Sequence, residues 1–426
     1  MKTLCETFPT DAHFWNHLGR HLNFIVKAPY VEAERCFLRA IELDSKNEIH
    51  HHGLGMVYRF EVRRRLEQPL DRSQSLLERL AALESIFGQA EQSFRTARKL
   101  EPGSDYALVT HVQMIIESIE RIFNLVNVHD YKELLNRTDY IGDWCRSKLQ
   151  RAEVLLDEIK RIQAEVENSK FALEFESKLS GLYGNFEAMV RGLTELLNRH
   201  DINERSVRRL IAHCHIRHNR NDLDRIEKRT VHQIADMMLE NLAEDPGNDA
   251  DMRLWLRAFR MLPEFTITEA LERVSTWAVA SDSLDAHYYL YILNYVHLVR
   301  GAHASQLEVR KNIEVCLRRA PLLLSKRSFE WWASEALHRP CPLVHNSELE
   351  SWRRGTEYWA NADKLRRVEG IVDEIRSPQH GTCLIHGLPV FFVPARLVSS
   401  ADVNTKVSFH LGFSYEGLRA WNVQNV

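Results

Sequence analysis

Residues 15–22, Trp-Asn-His-Leu-Gly-Arg-His-Leu, and residues 33–40, Ala-Glu-Arg-Cys-Phe-Leu-Arg-Ala, carry the pattern that decides the fold. Trp15, Leu18, Gly19 and Leu22 recur at three- and four-residue intervals, which places them on one face of a helix. Ala33, Phe37 and Ala40 repeat the spacing on a second helix. The pattern returns at His51, Leu54, Gly55 and Tyr58, then at Ala90, Phe94 and Ala97, with Pro102 beyond. Gly19 and Gly55 let each first helix approach its partner where a side chain would clash. Ala33 and Ala90 do the same from the second helix, and Phe37 and Phe94 fill the groove to the next pair. Pro102 ends its helix because it lacks the N–H that would continue the ladder. Paired helices of this kind stack into an array.

This spacing resembles the tetratricopeptide repeat. The second repeat is lengthened, because about thirty residues separate Tyr58 from Ala90 where roughly ten suffice in the family. Glu61–Leu70 is charged and interrupted by Pro69, and Leu76, Leu77, Leu80, Leu83 and Phe87 then extend the second helix. Past residue 103 the motif decays while the helical period persists. Ala152, Leu155, Leu156, Ile159 and Ile162 share one helix face, and Leu179, Leu182, Tyr183, Gly184 and Ala188 resemble a fragment of the motif. Leu254, Trp255, Ala258 and Phe259 with Ala270, Val274 and Trp277 suggest a further pair, as do Tyr288, Tyr291, Ile292 and Tyr295 with Ile313, Cys316 and Leu317. Such stacks curve around a concave groove that takes a protein or peptide. The run His287-Tyr-Tyr-Leu-Tyr291 fits either that groove or the core.

The tail changes period. Val368-Glu-Gly-Ile-Val-Asp, Thr382-Cys-Leu-Ile385, Val390-Phe-Phe-Val393, Val407-Ser-Phe409 and Leu418–Val423 alternate as strands, and Gly381, Gly387, Pro389, Pro394, Gly412 and Gly417 punctuate them. Five short strands predict a small closed barrel, since closure removes exposed edges. The order of these segments resembles OB folds of the cold-shock and S1 type, whose aromatic side chains stack single-stranded bases. Phe391 and Phe392 keep that character, while the first segment reads Gly-Thr-Cys-Leu-Ile without rings. Arg366, Arg376, Arg396 and Lys406 are the basic residues that could hold a nucleic-acid backbone beside Phe391 and Phe392.

Composition bounds the chemistry. The chain has 426 residues, seven cysteines without a C-x-x-C pair and a net charge of −3, which gives no global pull toward nucleic acid or anionic membrane. Scattered thiols suit a reducing cytoplasm, and no apolar run is long enough to span a bilayer. No P-loop, G-x-G-x-x-G, G-x-S-x-G or H-E-x-x-H occurs, so no enzyme activity and no cofactor are expected. His50-His51-His52 point about 100° apart on a helix and cannot converge on one metal. His213, Cys214, His215 and His218 share helix-face spacing but lack further ligands. Arg208 and His213 resemble the R-x₄-H core of HEPN ribonucleases, with Arg209 where that family carries an uncharged polar residue or His.

Taken together, Leu4–Trp15, the repeat Ala33–Ser45 and the closing Val407–Ala420 resemble the C-terminal tetratricopeptide-plus-OB region of STAND-type P-loop NTPases. These are related to vertebrate sterile-alpha-motif antiviral proteins and bacterial anti-phage defence proteins. The resemblance implies a sensor whose NTPase and effector parts act in cis or in trans, this chain being a fragment or one half of a split system. The expected architecture is mainly α: a right-handed helical-hairpin solenoid with a small C-terminal OB-like barrel. Tetratricopeptide-like repeats with a long helical insertion occupy 1–102, degenerate helical repeats 103–324, a Trp-rich helical joint 325–363 and the barrel 364–426. Trp331, Trp332, Trp352, Trp359 and Pro340-Cys-Pro342 mark the joint. The expected function is a non-catalytic scaffold for a protein or peptide, with RNA or single-stranded DNA on the barrel as the alternative.

Overall fold

A computed structural model describes residues 2–26, 28–68, 75–126, 128, 130–164, 170–198, 203–320, 325–349, 361–394 and 403–426. The chain forms two compact units, Met1–Ile202 and Asn203–Val426.

The first unit is a run of helical hairpins. A short α1 (Lys2–Thr7) precedes α2 (Ala12–Arg20), which continues as a π-helical turn over His21–Val26 and pairs with α3 (Tyr30–Leu43). Next come α4 (Glu48–Glu67) with α5 (Leu76–Leu100), then α6 (Tyr106–Leu125) with α8 (Tyr140–Ala164) across the short α7 (Tyr131–Leu135), and α9 (Lys170–Leu182) with α10 (Phe186–Leu197). Local chemistry fixes the starts. Asn47 accepts from the Ile49 N–H at the head of α4, and Ser75 and Glu78 form a reciprocal capping box on α5. The insertion lengthens both helices of the second hairpin, not the second alone, and Pro69 and Leu70 lie outside the described residues. Ala33, Phe37, Ala40, Leu54, Tyr58, Ala90, Phe94 and Ala97 are buried, with Leu18 beside them. Phe37 fits between two glycines: a Cβ on Gly19 would meet its ring at 2.8 Å and one on Gly53 at 2.2 Å. Phe94 closes on Gly55 in the same way, at 2.5 Å. Trp15 is half-buried and donates its indole N–H to the Pro9 carbonyl at 3.0 Å; Pro102 is exposed just past α5. Tyr183 and Gly184, read as a motif fragment, instead form the turn between α9 and α10, with Gly184 at φ +80°.

The second unit joins helices to a barrel. Its helices are α11 (Glu204–His218), α12 (Lys228–Glu244), α13 (Asp249–Phe259), α14 (Ile267–Ser281), α15 (Leu284–Val299) and α16 (Ser305–Arg319). Two three-residue strands follow, β1 (Glu330–Trp332) and β2 (Leu343–His345). Then come β3 (Arg367–Ser377), β4 (His380–Ile385), β5 (Leu388–Phe392), β6 (Lys406–Ser414) and β7 (Gly417–Asn425). The last five close in the order β6-β3-β4-β5-β7-β6, with β5 and β7 parallel and the other pairs antiparallel: an OB-like barrel. Val372, Cys383, Val390, Phe392, Val407, Phe409 and Leu418 fill it.

Within the Trp-rich segment, Trp331 and Trp332 lie on a strand where helix is expected. β1 pairs with β2 and with β6, on the β6 edge opposite β7 and past the β3 pairing, matching Glu330 to Phe413 and Trp331 to Gly412. Alternation sends Trp331 against Trp421 and Trp332 against Tyr295 and Phe413, two opposite faces that a strand serves and a helix would not. Trp352 and Trp359 lie outside the described residues. The tyrosines of α15 are core, not groove. Tyr288 donates to the Phe413 carbonyl (2.8 Å), Tyr291 to the Ser414 carbonyl (2.6 Å) and Tyr289 to Glu330 (3.2 Å), seating the barrel on α15.

Candidate partner-binding cleft and the barrel face

In the first unit, the start of α4, the end of α5 and the start of α6 enclose a cavity of about 90 Å³. Ile49, His52, Ala97, Ala107 and Tyr106 form its apolar and aromatic walls, and Glu48, Arg98, Glu101 and Ser104 complete it. Ile49 is 50% exposed and Tyr106 63%. His52 is 9% exposed; its ring lies 4.3 Å from that of Tyr106, and Nε2 is 3.1 Å from Thr110 Oγ1. Burial, with Arg59 and Arg20 adding to it, lowers the His52 pKa to about 4. Farther along the same two helices, α4 and α6, polar groups consume one another. Arg59 pairs with Glu117 at 2.6 Å and Arg121 with Glu67 at 2.9 Å. The helix pair is thus tied along its length and open at its start.

The barrel separates the two candidate stacking residues. Phe392 points inward, 1% exposed, with Gly381 against its ring, so no base can reach it. Phe391, its neighbour, faces outward and is half-buried. The Arg419 guanidinium lies 4.3 Å over its ring and His380 packs on it at 4.9 Å. Arg366 pairs with Glu335, and Arg376 with Glu374 at 2.8 Å; Lys406 is exposed at the start of β6. Arg396 lies outside the described residues.

Other sequence candidates disperse. His50 is buried, His51 contacts the Ser45 carbonyl at 3.0 Å, and His52 turns to Thr110, so the triple histidine diverges. Arg208 is held by Glu204 (2.5 Å) and Glu240 (2.8 Å), while His213 stands exposed on α11. Cys145, Cys316, Cys341 and Cys383 are buried thiols whose pKa values burial pushes up to about 12.

One cluster had no sequence signal. Arg260, 1% exposed, meets Glu330 at 2.6 Å and Glu348 at 3.4 Å. Arg339 meets Glu348 at 2.5 Å and Asp224 at 2.6 Å, and Lys364 meets Asp222 at 2.7 Å. Burial alone would lower the Arg260 pKa, but Glu330 and Glu348 outweigh it and keep the guanidinium charged. Among the described residues, Asp222, Asp224 and Glu348 are close enough to share a cation, yet Lys364 and Arg339 already neutralise them. This is a structural clasp of α13, β1 and the turns around it.

No protein-family model matches the chain, and no curated protein does. Solved structures similar to it include the human IFIT1 dimer with m7Gppp-AAAA, at 12% identity over 73% of this chain and 59% of that one, TM-score 0.39. The Cut9–Hcn1 hetero-tetramer of the APC/C is similar at 18% identity over 60% of this chain and 44% of that one, TM-score 0.26. PilW, a type IV pilus biogenesis factor, is similar at 12% identity over 57% of this chain and 97% of that one, TM-score 0.27. The chain therefore spans under two thirds of the length of the first two proteins. No helix among the described residues is long and apolar enough to cross a membrane.

Proposed function

We propose that this chain is a non-catalytic sensor and interaction scaffold, the partner-binding part of a STAND-type NTPase defence system, holding a protein or peptide segment on the hairpins of its first unit. The cleft between α4, α5 and α6 carries this reading. Ile49 and Tyr106 leave apolar surface in water beside a cavity, where burial under a partner would gain about 25 cal/mol per Å². The STAND context, with an NTPase and effector in cis or in trans in the cytoplasm, is supported by the resemblance of Leu4–Trp15, Ala33–Ser45 and Val407–Ala420. Nucleic acid on the barrel is the other reading, and the outward ring of Phe391 favours it; Arg419, already stacked on that ring, competes with any base.

A peptide-display selection on the whole chain tests the proposal. Enriched peptides should bind Ile49→Gln about tenfold more weakly or worse, the loss expected when an apolar contact becomes an unpaired polar one, and Phe391→Ala unchanged. Equal binding to Ile49→Gln overturns the reading. So does salt-sensitive binding of a labelled oligonucleotide that Phe391→Ala abolishes.

A further inference from the structure

We infer that the α4–α5–α6 cleft is a socket for a basic side chain, lysine or arginine, of the bound segment; this rests on the cleft being the peptide site. Hydrogen-bond bookkeeping gives the first reason. The single proton of the Thr110 hydroxyl goes to the Tyr106 carbonyl at 2.9 Å, so Thr110 Oγ1 accepts from His52 Nε2. That fixes the tautomer, because the other ring nitrogen, Nδ1, then carries a lone pair. It is an acceptor on a ring nine-tenths buried in the cavity wall, and no group among the described residues donates to it. Since the ring stays neutral down to about pH 4, it accepts a donor and does not repel a cation.

Charge supplies the second reason. Glu48 and Glu101 line the cavity, and neither is engaged in an ion pair among the described residues. Arg98, the cation among the lining residues, is bound to Glu158 at 2.8 Å. The last turn of α5 adds its carbonyl ends on one side. The starts of α4 and α6 oppose with N–H groups, but Asn47 and Ser104 already accept from Ile49 and Tyr106 there. Arg59 and Arg20 also act on His52, but Arg59 is paired with Glu117, which leaves Glu48 and Glu101 against Arg20 among the described residues.

Shape supplies the third. A volume of about 90 Å³ takes one side chain, not a nucleobase pair or a folded element. Ile49, Ala97 and Ala107 suit an aliphatic stem, and the exposed Tyr106 ring suits a cation over its face. A purely aliphatic occupant would leave the Nδ1 lone pair and two carboxylates without donors. An acidic one would meet Glu48 and Glu101.

Saturation-transfer NMR on the whole chain reads the preference directly, using the N-acetyl methylamides of lysine, arginine, norleucine and glutamate. Lysine and arginine derivatives should receive the strongest transfer, weakened about three- to tenfold by Glu48→Gln with Glu101→Gln. Reversal by Glu48→Arg with Glu101→Arg should shift preference to the glutamate derivative; both positions are on the surface, and circular dichroism confirms folding. Norleucine equal to lysine, or a lysine preference that survives reversal, overturns the inference. If enriched peptides still lose binding in Ile49→Gln while carrying no lysine or arginine, the cleft remains the peptide site and only its basic specificity falls.

Discussion

Gly53→Ala is a substitution whose sign depends on one contact. A methyl at Gly53 would stand 2.2 Å from Phe37 Cε1 and 2.8 Å from Cζ, well inside van der Waals contact. The ring cannot swing away, because on its other side a Cβ at Gly19 would already be 2.8 Å from it, and Phe37 is fully buried. Helix propensity alone favours alanine over glycine by about 1 kcal/mol. Overpacking a closed site costs about 1–3 kcal/mol, and the approach here is severe enough for the upper part of that range. The expected result is a net loss of about 1–2 kcal/mol. Gly88 is the control. It lies within α5, and a methyl added there would meet nothing within 4 Å, so Gly88→Ala should stabilise by about 0.5–1 kcal/mol. In a Phe37→Leu background the ring edge is gone, and Gly53→Ala should become neutral or stabilising. Urea midpoints by circular dichroism measure the parent, the three single variants and the double variant, taking the transition that Gly88→Ala itself moves. A rise in midpoint for Gly53→Ala in the parent chain, or simple additivity with Phe37→Leu, refutes the packing argument.

Stability should fall in acid through His52. Its folded pKa of about 4 lies below the ordinary 6.5, so the unfolded chain takes up a proton that the folded one refuses. The contribution is complete above pH 6.5 and is lost as pH drops toward 4, by up to about 3 kcal/mol. The difference in unfolding free energy between the parent and His52→Gln, measured from pH 7 to 4, should show that slope; a flat difference contradicts the burial. Arg260→Met should cost about 3–5 kcal/mol, because Glu330 stays buried without its guanidinium while Glu348 keeps only Arg339, and adding Glu330→Gln should recover part of it. A drop in thermal midpoint equivalent to less than about 1 kcal/mol for Arg260→Met would remove the clasp.

The hairpins were legible because their signal is local: Gly19, Phe37, Gly55 and Phe94 recur within one or two helices and record close approach. Gly53 lay outside the motif, although it approaches Phe37 more closely than Gly19 does. Barrel strands were legible from alternation and from turns such as Gly387 and Gly417, both at positive φ. β1 and β2 were not. Three residues are too few to show a period, and the β6 partner of Glu330, Phe413, lies far along the chain. The same distance hid the clasp, whose Arg260 finds Glu330 and Glu348 well beyond its own helix. Phe391 and Phe392 show a different limit. Alternation requires adjacent strand residues to face opposite ways, so only one could be outside, and the register that sets Gly381 against Phe392 decides which.

How each surface disposes of its charges separates the two binding readings. On the barrel, Arg366 and Arg376 are matched by carboxylates, and Arg367 is spent on the Ser408 and Asn422 carbonyls. Arg419 is divided between Glu416 and the face of Phe391. A phosphate backbone arriving there would have to break those pairs before gaining its own. At the cleft the opposite holds: Glu48 and Glu101 are unmatched among the described residues, and the lining cation Arg98 is tied to Glu158. An unmatched pair of carboxylates repels a polyanion and loses no existing partner when a cationic one arrives. The charge arrangement therefore favours a peptide at the hairpins over a nucleic acid on the barrel, and favours it through the same two residues that set the expected side chain.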